Sequence, residues 1–127
     1  MPEVFAASSH WSSQHAAEYQ DFLENAQPRR VPSMPLRGIV TNRLERHRPE
    51  TEAWLKRHRI PYESLQMSPH ATFAARDHAG DAAFRKAAAY DADPSLLLFV
   101  ESDDQQALEI ARRTGRPVFS TARNNLV

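Results

Sequence analysis

The stretch from Leu96 to Ser120, LLLFVESDDQQALEIARRTGRPVFS, decides how this chain is read. Leu96-Leu97-Leu98-Phe99-Val100 is a continuous apolar run of strand length, the pattern of a strand buried on both faces. Ser102 follows at capping-box spacing from Gln105, and Asp103 and Asp104 fall in the first turn, where acids complement the helix dipole. Ala107, Leu108 and Ala111 make an inner stripe, Arg112 and Arg113 occupy the last turn, and Gly115 with Pro117 stops the helix. Pro117 to Ser120 then reads as a second strand, which completes a strand-helix-strand unit.

The same rhythm continues toward the N-terminus. Leu36 to Thr41 reads as a strand, and Pro49 to His58 as a helix with Pro at its start, Glu50 and Glu52 early, and Lys56-Arg57-His58 late. Ile60-Pro61 turns the chain into a strand from Tyr62 to Met67, and Ser68 to Gly80 reads as a loop. Asp81 to Tyr90 is alanine-rich and helical, with Ala83, Phe84, Ala87 and Ala88 on one face. Ser13 caps a further helix in which Tyr19, Phe22, Leu23 and Ala26 share a face, Pro28 ends it, and Glu3 to Ala7 is a short strand before it. Strands alternating with helices predict one α/β domain over residues 1–127: a three-layer Rossmann-like sandwich with a mostly parallel sheet of four or five strands.

Composition bounds the function. The 127 residues include 41% hydrophobic ones, enough for a core that buries roughly two thirds of the unfolded chain's surface without a staple. There is no cysteine, so disulfides, thiolate zinc sites and cysteine nucleophiles are excluded. The 16 basic and 16 acidic residues cancel, which argues against nucleic acid as a partner. No apolar run reaches membrane-spanning length, and the first residues carry neither a basic n-region nor a long apolar h-region, so the expectation is a cytoplasmic protein with no membrane partner. The six histidines, at 10, 15, 47, 58, 70 and 78, show no metal-ligand spacing. Arg43, Arg46, His47 and Arg48 form a local basic run, read as a solvated face or as the neighbour of an anion at Thr41.

In open α/β sheets ligands bind beyond the carboxyl ends of the strands. Those positions hold Thr41-Asn42-Arg43 and Glu101-Ser102-Asp103-Asp104, and Lys86 is one of only two lysines. A hydroxyl, an ammonium and carboxylates at one sheet edge suit a phosphate held with a divalent cation such as magnesium. Thr41, Asn42 and Lys86 are the candidate phosphate-binding residues, and Glu101, Asp103 and Asp104 the candidate metal ligands. The bland alternatives are a turn cap for Thr41, dipole partners for the two aspartates, and a solvated helical residue for Lys86.

At these residues the chain resembles the haloacid dehalogenase-like phosphatase superfamily. Gly38 to Glu45 followed by Arg48 to Leu55 looks like its second motif and the helix behind it, and Lys86-Ala87 with Tyr90 like its third-motif lysine segment. Leu98-Phe99-Val100-Glu101-Ser102-Asp103-Asp104 looks like its fourth, metal-binding motif. Tyr19 to Ala26 with the proline-rich stretch to Met34 is similar to small domains of this superfamily found beside or fused to phosphoribosyltransferases. The resemblance covers roughly residues 19–121, and it implies a phosphohydrolase scaffold in which Thr41 is the phosphate-binding hydroxyl.

One departure outweighs these matches. The superfamily's nucleophile and general acid are an Asp-x-Asp pair at the end of the first strand, whereas the earliest aspartate here is Asp21, on a helix. Glu3-Val4-Phe5-Ala6-Ala7-Ser8-Ser9-His10 has alanine or serine where both carboxylates belong. An alanine methyl has no oxygen with which to attack phosphorus, so no catalytic residue is assigned. Ser8 or Ser9 with His10 as base is the weaker substitute, since nothing resembles a nucleophile elbow. The expectation is therefore a degenerate domain that has lost the phosphatase nucleophile and binds a phosphorylated small molecule or a protein partner. One alternative is an active magnesium-dependent phosphohydrolase completed by another chain or by residues upstream of Met1. The other is a structural or interaction module with a vestigial pocket. Strand exchange in a homodimer is one way to fill the centre of the sheet.

Overall fold

A computed structural model describes residues 16–27 and 36–127. The order along the chain is α1 (Ala16–Asn25), β1 (Leu36–Leu44), a 3-10 turn (Glu45–His47), α2 (Arg48–Arg57), β2 (Tyr62–Ser68), α3 (Phe73–Ala79) and α4 (Ala82–Asp91). Then come β3 (Phe99–Glu101), α5 (Asp104–Thr114), β4 (Val118–Ser120) and β5 (Asn125–Leu126).

The alternation of strand and helix is present, but the single sheet of four or five strands is not. The described strands form a two-stranded parallel sheet, β1-β2, and a three-stranded sheet, β3-β4-β5, in which β3 and β4 are parallel and β5 is antiparallel. Each parallel pair is joined through one helix, α2 or α5, so the two strand-helix-strand units expected from the sequence are the building blocks. The expected strand Glu3 to Ala7, the Ser13 cap and Pro28 lie outside the described residues.

Period-two alternation along β1 explains how the units are held together. Ile39 points to one face, where it packs with Leu65 and Met67 of β2, Trp54 and Leu55 of α2, and Ile60. Val40 points to the other, into a cluster with Ala87 and Tyr90 of α4, Phe99 of β3, Ala107 and Ile110 of α5, and Val118. A third cluster joins Leu23 of α1 to Leu44 and Phe73. At Gly38 the two strands approach closely: a Cβ there would lie 2.8 Å from Ser64 Oγ, and that exposed side chain would have to rotate away.

Helix α4 sets the direction of both sheets. Near its start Arg85 reaches Asn42 toward the end of β1, and Lys86 reaches Glu101 at the end of β3. Beyond its other end Asp93 meets Arg37 at the start of β1 and accepts the Leu96 amide ahead of β3. Both strands therefore run antiparallel to α4, and their carboxyl ends lie on the same side of the molecule. Between the sheets lies a cleft of about 270 Å³, lined among others by Leu36, Val40, Tyr90, Leu96 and Leu98.

Several local expectations are corrected. Ser68 to Gly80 is not all loop: Thr72 accepts the Ala75 amide as an N-cap, and Gly80, at φ 57°, ends α3. Leu96 to Val100 is not a strand buried on both faces, because only Phe99–Glu101 pairs, and Leu97 is 87% exposed. The cap of α5 is Asp103 rather than Ser102, since the Asp103 side chain accepts the Gln106 amide from an extended backbone. Strand β1 runs to Leu44, three residues past Thr41, and β5 was not expected.

Candidate functional site

The site begins at an irregularity in β1. Val40 pairs with Gln66 and Leu44 with Ser68, so four steps along β1 match two along β2. The extra residues fall at Thr41-Asn42-Arg43, and a bulge of this kind re-aims side chains next to a strand end. Its polar groups are met locally. Thr41 Oγ1 accepts the Arg43 amide at 3.2 Å, while Arg76 donates to the Asn42 carbonyl at 3.4 Å and Arg85 to Asn42 Oδ1 at 3.1 Å. Thr41 is buried and Asn42 half-buried.

Lys86 and Glu101 are both fully buried and form an ion pair at 2.8 Å. Lys86 Nζ also donates to Gln106 Oε1 at 2.8 Å, and the second Glu101 oxygen accepts the Asp103 amide at 3.1 Å. The pair thus ties α4 to the end of β3 and the start of α5. Asp104 turns the other way: it accepts both Nε and Nη2 of Arg123 and the Ser120 hydroxyl. Those bonds, Arg123 first, hold its carboxyl below the ordinary range.

These carboxylates do not fit magnesium as arranged. Glu101 faces Lys86, Asp103 caps its own helix and Asp104 grips Arg123, so their oxygens serve three different partners rather than one oxygen shell. Among the described residues no group of three His, Asp or Glu side chains is placed to hold a metal. The structure brings Lys86 together with Glu101, and Asn42 together with the residue preceding that lysine. Asp104 stands apart with Arg123.

The basic run after Thr41 is dispersed by the fold. The Arg43 guanidinium is buried over Trp54 at 5.8 Å and Phe22 at 5.9 Å and donates to Thr51, and Arg48 lies between Glu45 and Glu52. Arg46 lies over Phe73, and burial lowers the His47 pKa despite its contact with Glu50.

Residues that sequence reasoning did not select complete the mouth of the site. Arg85 spreads two donors over the ends of β1 and β2, Nη2 to Asn42 and Nη1 to the Met67 carbonyl at 3.5 Å, and a third, Nε, to Asp81 ahead of its own helix at 3.5 Å. His70 Nε2 lies 3.0 Å from the other Asp81 oxygen. Burial alone would raise the Asp81 pKa, but the His70 hydrogen bond and the Arg85 charge bring it below its ordinary value. Arg76, 5% exposed, approaches the same bulge from α3, with Asp77 beside it. The one signal for Arg85 was its place next to Lys86 on a helix facing the strand ends. Nothing in the sequence marks Arg76, because the expectation for its segment, Ser68 to Gly80, is a loop.

Comparison with protein-family models, curated proteins and solved structures finds no match to this chain. No helix among the described residues is long and apolar enough to cross a membrane.

Proposed function

We propose that this chain is a phosphate-ester-binding domain of haloacid dehalogenase-like design that does not turn its ligand over. The observation that carries the reading is the convergence on α4: Arg85 reaches the ends of β1 and β2 while Lys86 reaches the end of β3. The motif resemblance adds to it, and alanine and serine in place of the Asp-x-Asp pair speak for binding without hydrolysis. A ligand that binds only the folded state raises its melting temperature by mass action. Inorganic phosphate or an aryl phosphate should therefore stabilise the protein, with no magnesium-dependent release of phosphate from the ester. Turnover that disappears in Glu101→Ala would replace this reading with the phosphohydrolase one.

A second reading, a protein-binding module, has its own support. Leu98, 45% exposed, lines the inter-sheet cleft, and its chain neighbour Leu97 is 87% exposed; apolar surface of that kind fits a protein partner. A flat melting temperature across phosphate concentrations favours this module.

A further inference from the structure

Resting on the phosphate-binding reading, we infer that the ligand's phosphate is gripped by Arg85, at the β1 bulge, and not by Lys86. Two guanidinium groups from different helices meet the same residue, Arg85 at the Asn42 side chain and Arg76 at its carbonyl. The planar fork of Arg85 matches the oxygens of a phosphate monoester, while Arg76, buried and paired with Asp77, stays behind it on the Asn42 carbonyl.

The neighbouring cations differ in what a ligand would have to break. Lys86 is fully buried, with short bonds to Glu101 and Gln106, and reaching it means parting a buried ion pair. The Arg85 side chain keeps 17% of its exposure, and two of its three bonds are at 3.5 Å, the long limit of hydrogen bonding. A dianionic phosphate can take over those donors at little cost. Asp81, which holds Arg85 in the free protein, is also bonded to His70, so it keeps a partner when the guanidinium turns to the ligand. The arrangement favours a monoester over a diester, which brings one charge instead of two.

The test titrates inorganic phosphate, phenyl phosphate and dimethyl phosphate into the intact chain by calorimetry, beside Arg85→Gln and Arg123→Gln. The wild type and Arg123→Gln should bind the first two alike and dimethyl phosphate far more weakly. Arg85→Gln should lose at least about tenfold in phosphate affinity, the scale of one charge-assisted hydrogen bond. Phosphate binding that survives intact in Arg85→Gln overturns this inference and leaves the phosphate-binding reading standing; no binding to the wild type removes both. Should Arg85→Gln fold poorly, the Arg85 Nε–H resonance of the wild type decides: it shifts with phosphate if the assignment holds, and its remaining fixed while the protein saturates refutes it.

Discussion

Arg85 and Lys86 are consecutive residues on α4, yet the helix rotates them about 100° apart and gives them opposite fates. Lys86 turns into the junction of α4, β3 and α5, where no solvent reaches it and Glu101 neutralises it. Arg85 turns to the mouth, where its partners are a side-chain amide, a carbonyl and a half-exposed aspartate. A cation's role is thus decided by the element it faces and not by residue type: the sealed one ties the fold together, and the open one is available to an anion.

The largest test of that contrast breaks the sealed pair. Lys86→Met leaves Glu101 buried without its counter-charge, and urea unfolding should report a loss of about 3–5 kcal/mol, whereas the double variant Lys86→Met/Glu101→Leu should recover most of it. Equal stability of the single variant and wild type would deny the pair its structural role. Tyr90 lies one turn beyond Lys86 on the same buried face and donates to the Pro117 carbonyl at 2.7 Å. Tyr90→Phe removes that bond, leaving the Pro117 carbonyl with the Phe99 amide at 3.3 Å, and should cost about 1 kcal/mol in the same assay.

On the open side the stability effects are smaller. Arg85→Gln should cost less than about 1 kcal/mol, as expected for partly exposed pairs, while phosphate stabilisation is lost. A loss matching that of Lys86→Met would erase the distinction between the two cations. The smallest effect is on pH. Asp81 has a lowered pKa in the folded state, so its contribution is fully present above the ordinary carboxylate value of about 4 and fades as pH falls through the lower folded value. Melting curves of Asp81→Asn should accordingly differ from wild type above pH 4 and converge with it in stronger acid.

Much of the scaffold was legible because it follows local rules. The strand from Leu36, the proline at the start of α2, the extent of α4 and the Gly115 stop of α5 each correspond to what the structure contains. Phe84 and Ala88, however, expected to share a face with Ala83 and Ala87, are exposed, and Lys86 and Tyr90 are buried with Ala87 instead. The division into two sheets was not legible, since strand order depends on contacts between distant segments that apolar runs do not encode. The Leu96–Val100 run shows why: its composition matches a buried strand, but only its last two residues, with Glu101, find a ladder partner.

The site was legible in its positions and not in its partners. Glu101 ends β3 and Lys86 lies on the helix facing it, as the topology argument expected, whereas Thr41 and Asn42 fall within β1, at its bulge, and not beyond its end. That Glu101 would meet a lysine fifteen residues earlier, or that two arginines would meet at Asn42, requires the packing of α3 and α4 against the β1 bulge.

The most direct measurement is a backbone amide NMR titration of the intact chain with inorganic phosphate. The account expects saturable shifts concentrated at Thr41–Arg43, Ser68–His70 and the first turn of α4, with the amides of Asp104 and Arg123 unmoved. Shifts absent throughout, or gathered at the cleft around Leu36 and Leu98 instead, would contradict it.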